Sequence, residues 1–232
     1  MITLRRSAER GHARHGWLES YHTFSFASYY DPRFTGYRAL LVINQDRVAP
    51  GHGFGMHPHD SMEIISYVLE GSIEHRDTMG FTAVLRPGEV QVISAGTGML
   101  HAERNPSDGE PLHFLQVWIV PAAEGGEPTY QQQPYPIEER RNRLRLVCSP
   151  DGRDGSTTIR QDAALYVSVL QAGHEVTHGY APGRYGWVHV ARGAIELNGQ
   201  LLEDGDGAAI ADEAALTLRG VRDADVLLFD LP

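Results

Sequence analysis

Two short histidine-containing motifs have the residue types and the spacing of a metal site. His57 and His59 are separated by one residue, and in an extended chain side chains two positions apart point to the same face. His101 and Glu103 repeat this two-residue step with one imidazole and one carboxylate. If the two segments lie side by side as strands, three neutral nitrogens and one anionic oxygen converge on one point.

A donor set of this kind suits a single first-row divalent ion, with Fe(II) favoured and Mn, Co, Ni, Cu and Zn as alternatives. Four protein ligands leave one or two coordination positions for a substrate or O₂. Because one carboxylate leaves the metal with net positive charge, anionic oxygen donors such as a phenolate or an enolate are expected to bind there. Either motif alone is more often structural, so the prediction depends on the two occurring together.

Short β-type segments separated by turn signals surround both motifs. In the first half they are Ala39–Asn44, Glu63–Leu69, Ser72–Asp77, Phe81–Leu85, Val90–Ile93 and His113–Val120. In the second half they are Leu144–Cys148, Ala164–Gln171, Tyr185–Ala191, Ala194–Leu197, Ala214–Leu218 and Val226–Asp230. The pattern predicts an all-β protein of two domains, with a double jelly roll as the preferred form.

The connections between these strands carry further predictions. The dipeptides Arg192-Gly193 and Asn198-Gly199 predict hairpin turns, and Ile137–Arg143 is the one helical segment. Ala122–Pro136 is rich in Pro, Gly and Gln and has no periodicity, which is typical of a linker. We therefore expect a metal-binding domain at residues 1–121, a linker at 122–136 and a second domain at 137–232. No comparable pair of motifs follows residue 110, so the second domain is expected to be metal-free.

Composition excludes several classes of chemistry. All 20 basic residues are arginine, so the chain cannot form a lysine Schiff base or a P-loop. Cys148 is the only cysteine, which excludes an internal disulfide and a multi-cysteine metal site and favours a reduced, cytoplasmic setting. The net charge of −10 disfavours a general nucleic-acid grip. We expect neither a membrane span nor a signal peptide.

The sequence resembles the pirin family of the cupin superfamily, and within it the bacterial pirin-like quercetin 2,3-dioxygenases. The resemblance covers essentially the whole chain and rests on blocks in matching order, namely Arg10–Pro32, His57–Gly80, Ser94–Pro106, Ser149–Ser156 and the terminal LLFDLP. It implies a bicupin fold of two jelly-roll β-barrels. It also implies that the N-terminal cupin holds the metal through His57, His59, His101 and Glu103.

The chain departs from the general cupin pattern at a few positions. Gly71 comes one residue late, and Gly96 stands where proline is usual. Glu63 occupies a position that is a ligand in many cupins, whereas pirins resemble one another in using the later glutamate. We therefore expect Glu63 to lie beside the site, hydrogen-bonded near a ligand histidine.

Five other histidines of the first half are predicted to lie outside the ligand set. His52 and His75 lack a partner two residues away, so surface roles are expected for both. The N-terminal histidines are expected to be structural or to line a cavity rim; they are His12, His15 and His22.

The resemblance implies a metal-dependent dioxygenase that cleaves the central ring of a flavonol such as quercetin with O₂ and releases carbon monoxide. Glu103 is the expected catalytic base for the flavonol 3-hydroxyl. One alternative is a redox-sensing protein that docks to an unidentified protein partner and turns over flavonols as a side activity. Another is a cupin isomerase or epimerase that uses the metal without O₂. The expected partners are a small aromatic substrate and O₂, with no direct nucleic-acid or membrane partner.

Overall fold

The computed structural model describes residues 1–232, which form twenty strands, one short helix and two 3₁₀ turns. The strands up to the helix are β1 (Ile2–Arg5), β2 (Gly11–Arg14), β3 (Leu18–His22), β4 (Leu40–Val48), β5 (Gly53–His59), β6 (Glu63–Glu70), β7 (Ile73–Asp77), β8 (Thr82–Leu85), β9 (Glu89–Ser94), β10 (Met99–Arg104), β11 (Leu112–Ile119) and β12 (Thr129–Pro134).

Helix α1 (Ile137–Arg140) separates these strands from the second set. That set is β13 (Arg145–Ser149), β14 (Thr157–Thr158), β15 (Ala164–Leu170), β16 (Glu175–Gly179), β17 (Tyr185–Leu197), β18 (Gln200–Glu203), β19 (Gly207–Ile210) and β20 (Ala215–Leu231). The 3₁₀ turns are Ser7–Glu9 and Arg153–Gly155. None of the helices has the length and apolar character needed to cross a bilayer. The prediction of an all-β protein is confirmed.

The strands form three sheets. A seven-stranded sheet has the order β12-β9-β6-β11-β4-β3-β2, and a four-stranded sheet has the order β5-β10-β7-β8. The third sheet has nine strands, in the order β1-β19-β17-β20-β15-β13-β14, with β16 on β20 and β18 on β17. The candidate ligand motifs lie on β5 and β10, which are neighbours in the four-stranded sheet.

The central strands of the seven-stranded sheet, β6, β11 and β4, are buried on both faces. Val48 and Val68 from this sheet pack with Ile73 and Leu85 from the four-stranded sheet. On its other face a cluster of 23 buried residues joins it to the nine-stranded sheet. This explains the nearly continuous apolar run of β6, which alternation alone would not predict for a strand with one solvated face.

Two strands do not follow the predicted division into a first domain, an irregular linker and a second domain. Strand β12, residues 129–134, lies within the predicted linker 122–136 and pairs with β9 along its whole length. At the other end of the chain, β1 pairs with β19 of the nine-stranded sheet. The segment 122–136 is therefore not irregular throughout, and residues 2–5 belong to the sheet of the second half.

The two predicted hairpin signals have different outcomes. Asn198 and Gly199 join β17 to β18 with φ angles of 45° and 80°, so this turn is confirmed. Arg192-Gly193 is not a turn, and this prediction is wrong. It lies inside β17, where the register to β20 shifts and the extra residue is absorbed as a bulge.

Candidate metal centre

The two ligand motifs lie side by side in the structure. Strands β5 and β10 are antiparallel, with His57 paired to His101 and His59 paired to Met99. The register shifts between His101 and Glu103, so a bulge separates these two candidate ligands. The expectation that the two segments are neighbouring strands is confirmed.

Three imidazoles converge at this point. One ring nitrogen each of His57, His59 and His101 lies within 4.8 Å of the others, and the ring centroids are 4.5–4.8 Å apart. The Nε2 atoms of His57 and His101 are 3.0 Å apart. The Nδ1 atom of His57 donates to the carbonyl oxygen of Gly55 at 2.7 Å, which leaves its Nε2 lone pair free to bind a cation.

This arrangement fits one divalent metal ion. Two imidazole nitrogens bound at a right angle and about 2.1 Å from one metal lie about 3 Å apart, as the Nε2 atoms of His57 and His101 do. Burial and the neighbouring imidazoles lower the pKa of His101 to about 3 and the pKa of His59 to about 4. Both rings are therefore neutral at pH 7, as metal ligation requires.

Glu103 lies next to this group but has its own partners. Its carboxylate is buried, and it accepts hydrogen bonds from Ser66 Oγ at 3.4 Å and from Gln116 Nε2 at 3.2 Å. A carboxylate oxygen lies within 4.8 Å of a ring nitrogen of His101 and of His75, which makes a second cluster. His101 thus belongs to both clusters and joins Glu103 to the other two candidate ligands.

The placement of His75 corrects a prediction. His75 is not on the surface: it is fully buried, and its Nε2 lies 2.8 Å from Asp77 Oδ2. Its ring meets that of His101 edge-on, with centroids 5.3 Å apart. The alternation along β7 could have shown this, because Ile73, His75 and Asp77 share the buried face.

The position of Glu63 also differs from the prediction. It is buried, but its carboxylate accepts a hydrogen bond from Ser94 Oγ at 2.6 Å rather than contacting a ligand histidine. The reason is its strand: β6 belongs to the seven-stranded sheet, where Glu63 pairs with Ser94 of β9. His52 is exposed, as predicted.

A cavity of about 520 Å³ opens onto the imidazoles, and both His57 and His59 line it. This volume lies within the range of roughly 300–1,000 Å³ that is typical of small-molecule sites. Its aromatic lining consists of Trp17, Phe26, Phe54 and Trp118. His15 and His22 also line it, in agreement with the rim position that was one expectation for the N-terminal histidines. The sequence alone does not identify the aromatic walls, because they come from strands and loops distant along the chain.

One wall of the cavity is polar. Ser20, His22, Asn44 and Asp46 line it and are all buried. Burial is the main cause that raises the pKa of Asp46 to about 7 and lowers the pKa of His22. Alternate positions on β3 and β4 supply these side chains, so strand periodicity could have grouped them once the pairing of the two strands was known.

The fold and the site together define a two-domain β protein with a candidate metal centre in its first half. Comparison with known families agrees with this description. The pirin model matches residues 3–119, and a model described as the quercetinase C-terminal cupin domain matches residues 146–231. The chain belongs to the pirin family, and the predicted bicupin fold is confirmed.

Individual relatives cover the chain from end to end. Quercetin 2,3-dioxygenase of Escherichia coli K12 is 49% identical over 232 residues, covering 100% of this chain and 99% of that protein. The crystal structure of YhhW from Escherichia coli has a TM-score of 0.96 and 49% identity, covering 100% of this chain and 98% of that chain. A complex of bacterial pirin YhhW with nickel(II) has a TM-score of 0.94 and 48% identity, covering 100% and 99%.

Proposed function

We propose that this chain is a metal-dependent dioxygenase that cleaves the central ring of a flavonol such as quercetin with O₂, giving a depside and carbon monoxide. The observation that carries the proposal is the convergence of three imidazoles, two of which line a cavity of about 520 Å³ with aromatic walls. The cavity is large enough for a three-ring ligand. The name of the Escherichia coli relative, quercetin 2,3-dioxygenase, supports the choice of substrate.

We assign the metal-binding role to His57, His59, His101 and Glu103. Two supports are the 3.0 Å separation of imidazole nitrogens and the nickel(II) complex of a 48% identical pirin. Glu103 completes the set if its carboxylate turns from Gln116 and Ser66 toward the imidazoles. Fe(II) is the ion favoured for this donor set, and availability decides between it and the other first-row ions.

When bound, the metal supplies a positive centre that stabilises the enolate of the flavonol 3-hydroxyl. Glu103 accepts the proton of that hydroxyl, because its buried carboxylate lies within 4.8 Å of a ring nitrogen of His101. Gln116 and Ser66 donate to the carboxylate before it turns, and they orient it beside the imidazoles. Trp118, whose ring meets His59 edge-on at 5.0 Å, offers an apolar surface for the flavonol rings and keeps water from them.

The direct test measures O₂ uptake and carbon monoxide release when metal-loaded protein is mixed with quercetin. We expect one carbon monoxide for each O₂ consumed and no reaction under argon. His101→Ala should lose metal and turnover together, whereas His174→Ala, at an exposed position in the second half, should keep both. Turnover under argon would favour an isomerase, and metal binding without turnover would favour a redox-sensing binding protein.

A further inference from the structure

The polar wall of the cavity has a regular origin in the seven-stranded sheet. Ser20 of β3 pairs with Asp46 of β4, and His22 pairs with Asn44. Because alternate residues of a strand share a face, all four side chains point to one side of the sheet, where they line the cavity. Each is less than 6% exposed, so each has lost most of its contact with bulk water.

Four of the seven polar side-chain atoms of this wall make hydrogen bonds within the wall. Ser20 Oγ donates to Asp46 Oδ1, and His22 Nδ1 donates to Asn44 Oδ1 at 2.8 Å. Three atoms are left without a protein partner: His22 Nε2 and Asp46 Oδ2, which can accept, and Asn44 Nδ2, which can donate. All three atoms belong to side chains that line the cavity, so a ligand bound there can pair with them.

Aromatic rings connect this wall to the candidate metal ligands. The ring of His59 lies 5.0 Å from that of Trp118, Trp118 lies 5.4 Å from Phe26, and Phe26 lies 5.4 Å from His22. His59 belongs to the four-stranded sheet and His22 to the seven-stranded sheet, so the two polar regions lie on opposite walls. A flat aromatic ligand that follows Trp118 and Phe26 reaches both.

We propose that His22, Asn44 and Asp46 form a subsite that binds a phenolic hydroxyl of the substrate away from its 3-hydroxyl and 4-carbonyl groups. A phenolic hydroxyl donates one hydrogen bond and accepts others, so it can pair with Asp46 or His22 and with Asn44 at once. The subsite rests on the proposed function and narrows its substrate class to flavonols that carry hydroxyl groups on their outer rings.

The subsite predicts discrimination by hydroxyl groups rather than by shape. A site built to pair with a hydroxyl disfavours an analogue that lacks it, because the buried donors and acceptors are then left unpaired. Quercetin and 3-hydroxyflavone make a suitable pair of probes. Both carry the 3-hydroxyl and 4-carbonyl of a flavonol, but 3-hydroxyflavone has no other hydroxyl group.

The first experiment compares kcat/KM for the two probes. In the wild-type protein we expect quercetin to be preferred at least tenfold. Asp46→Ala and Asn44→Ala should each reduce that preference to less than threefold while metal content stays unchanged. Arg47→Ala is the matched control, because Arg47 is the next residue on β4, points to the other face and is half exposed. An equal fall on both probes would mean that Asp46 is merely structural and would overturn the proposal.

The second experiment measures binding without O₂, through quenching of the fluorescence of Trp17 and Trp118 in the cavity. We expect tighter binding of quercetin than of 3-hydroxyflavone, by roughly ten- to hundredfold. If Asp46→Ala does not fold, Asp46→Asn replaces it in this experiment, because asparagine preserves the size of the side chain. We expect Asp46→Asn to keep part of the difference in affinity between the two probes. Equal binding of the two probes by the wild-type protein would overturn the subsite. If no flavonol is turned over but the binding preference exists, the proposed reaction fails and the subsite stands.

Discussion

Glu103 is the residue on which the proposed chemistry depends most. It is almost fully buried, and Gln116 and Ser66 donate to its two oxygens, so these two side chains set the orientation from which the carboxylate must turn to reach the imidazoles. Once turned, the carboxylate can take a proton from a hydroxyl bound at the imidazoles.

Glu103→Gln should therefore lower kcat for quercetin by about 10²–10⁴-fold, since the amide keeps the shape but cannot accept the proton. Steady-state O₂ uptake at saturating metal measures the effect. Glu124→Gln, at an exposed position, is the control and should behave as wild type. A Glu103→Gln protein with more than half of the wild-type rate would show that the proton goes elsewhere.

His189 gives a prediction for stability and pH. It is completely buried in β17 and neither ring nitrogen has a hydrogen-bond partner, and burial lowers its pKa to about 3. Between pH 3 and about 6.5 the unfolded chain binds a proton at His189 that the folded chain does not. Protonation of His189 in the unfolded chain therefore does not affect the free energy of unfolding above pH 6.5, and it lowers that free energy progressively as the pH falls below 6.5.

His189→Leu should remove this part of the pH dependence of the free energy of unfolding. We expect the free energy of unfolding of the wild-type protein to fall by about 2 kcal/mol more than that of His189→Leu between pH 8 and pH 5. Urea denaturation of both metal-free proteins at several pH values measures the difference. Parallel pH curves would contradict a buried neutral imidazole at this position.

At the level of single residues, the sequence predicts those whose roles follow from strand periodicity. His57 and His59 share one face of β5 because they are two residues apart, and His101 lies on the neighbouring strand β10, paired with His57. A two-residue step in the sequence is enough to predict the shared face. The burial of His75 and the walls of the cavity depend on which strands are paired and which sheets face each other. No local pattern carries that information, because the strands concerned are distant in sequence.

At the level of elements, β17 shows how a turn signal can be overridden. Arg192-Gly193 has the composition of a hairpin, but β20 continues to pair with β17 on both sides of it. Gly193 has a φ of +85°, and a Cβ atom there would lie 2.0 Å from the carbonyl oxygen of Asp223. The glycine is needed for close approach of the two strands at the bulge, not for a turn.

Gly193→Ala should lower the free energy of unfolding by more than about 2 kcal/mol, because both the backbone strain and the clash must be relieved. Gly199→Ala is the matched control, with a φ of +80° and no atom near the added Cβ, so it should cost about 1 kcal/mol. Denaturant unfolding of both variants gives the comparison. Equal losses would mean that the strand contact at the bulge is looser than described.

At the level of the whole molecule, the seven-stranded sheet joins the two halves. The 23-residue core contains Ile43 and Val117 from this sheet and Leu165 and Phe229 from the nine-stranded sheet. Strand β1 adds a second connection, because it begins the chain but pairs in the sheet of the second half. The sequence predicts two domains from the spacing of the strands. It does not predict this shared core or the exchange of β1, since both arise from contacts across the whole chain.

A shared core predicts that the halves unfold together. Leu165→Ala should lower the free energy of unfolding by about 2–5 kcal/mol and shift a single transition seen by both circular dichroism and tryptophan fluorescence. Leu201→Ala, at an exposed position, should shift it little. Two transitions, of which only one moves in Leu165→Ala, would show that the halves are independent.

The central proposal is that His57, His59, His101 and Glu103 hold one divalent metal ion at the cavity. A crystal structure of the metal-loaded protein, with anomalous scattering recorded at the absorption edge of the metal, tests it most directly. We expect one peak about 2.0–2.2 Å from three imidazole nitrogens and one oxygen of Glu103. A peak at other residues, or a Glu103 carboxylate still bound only to Gln116 and Ser66, would contradict the assignment.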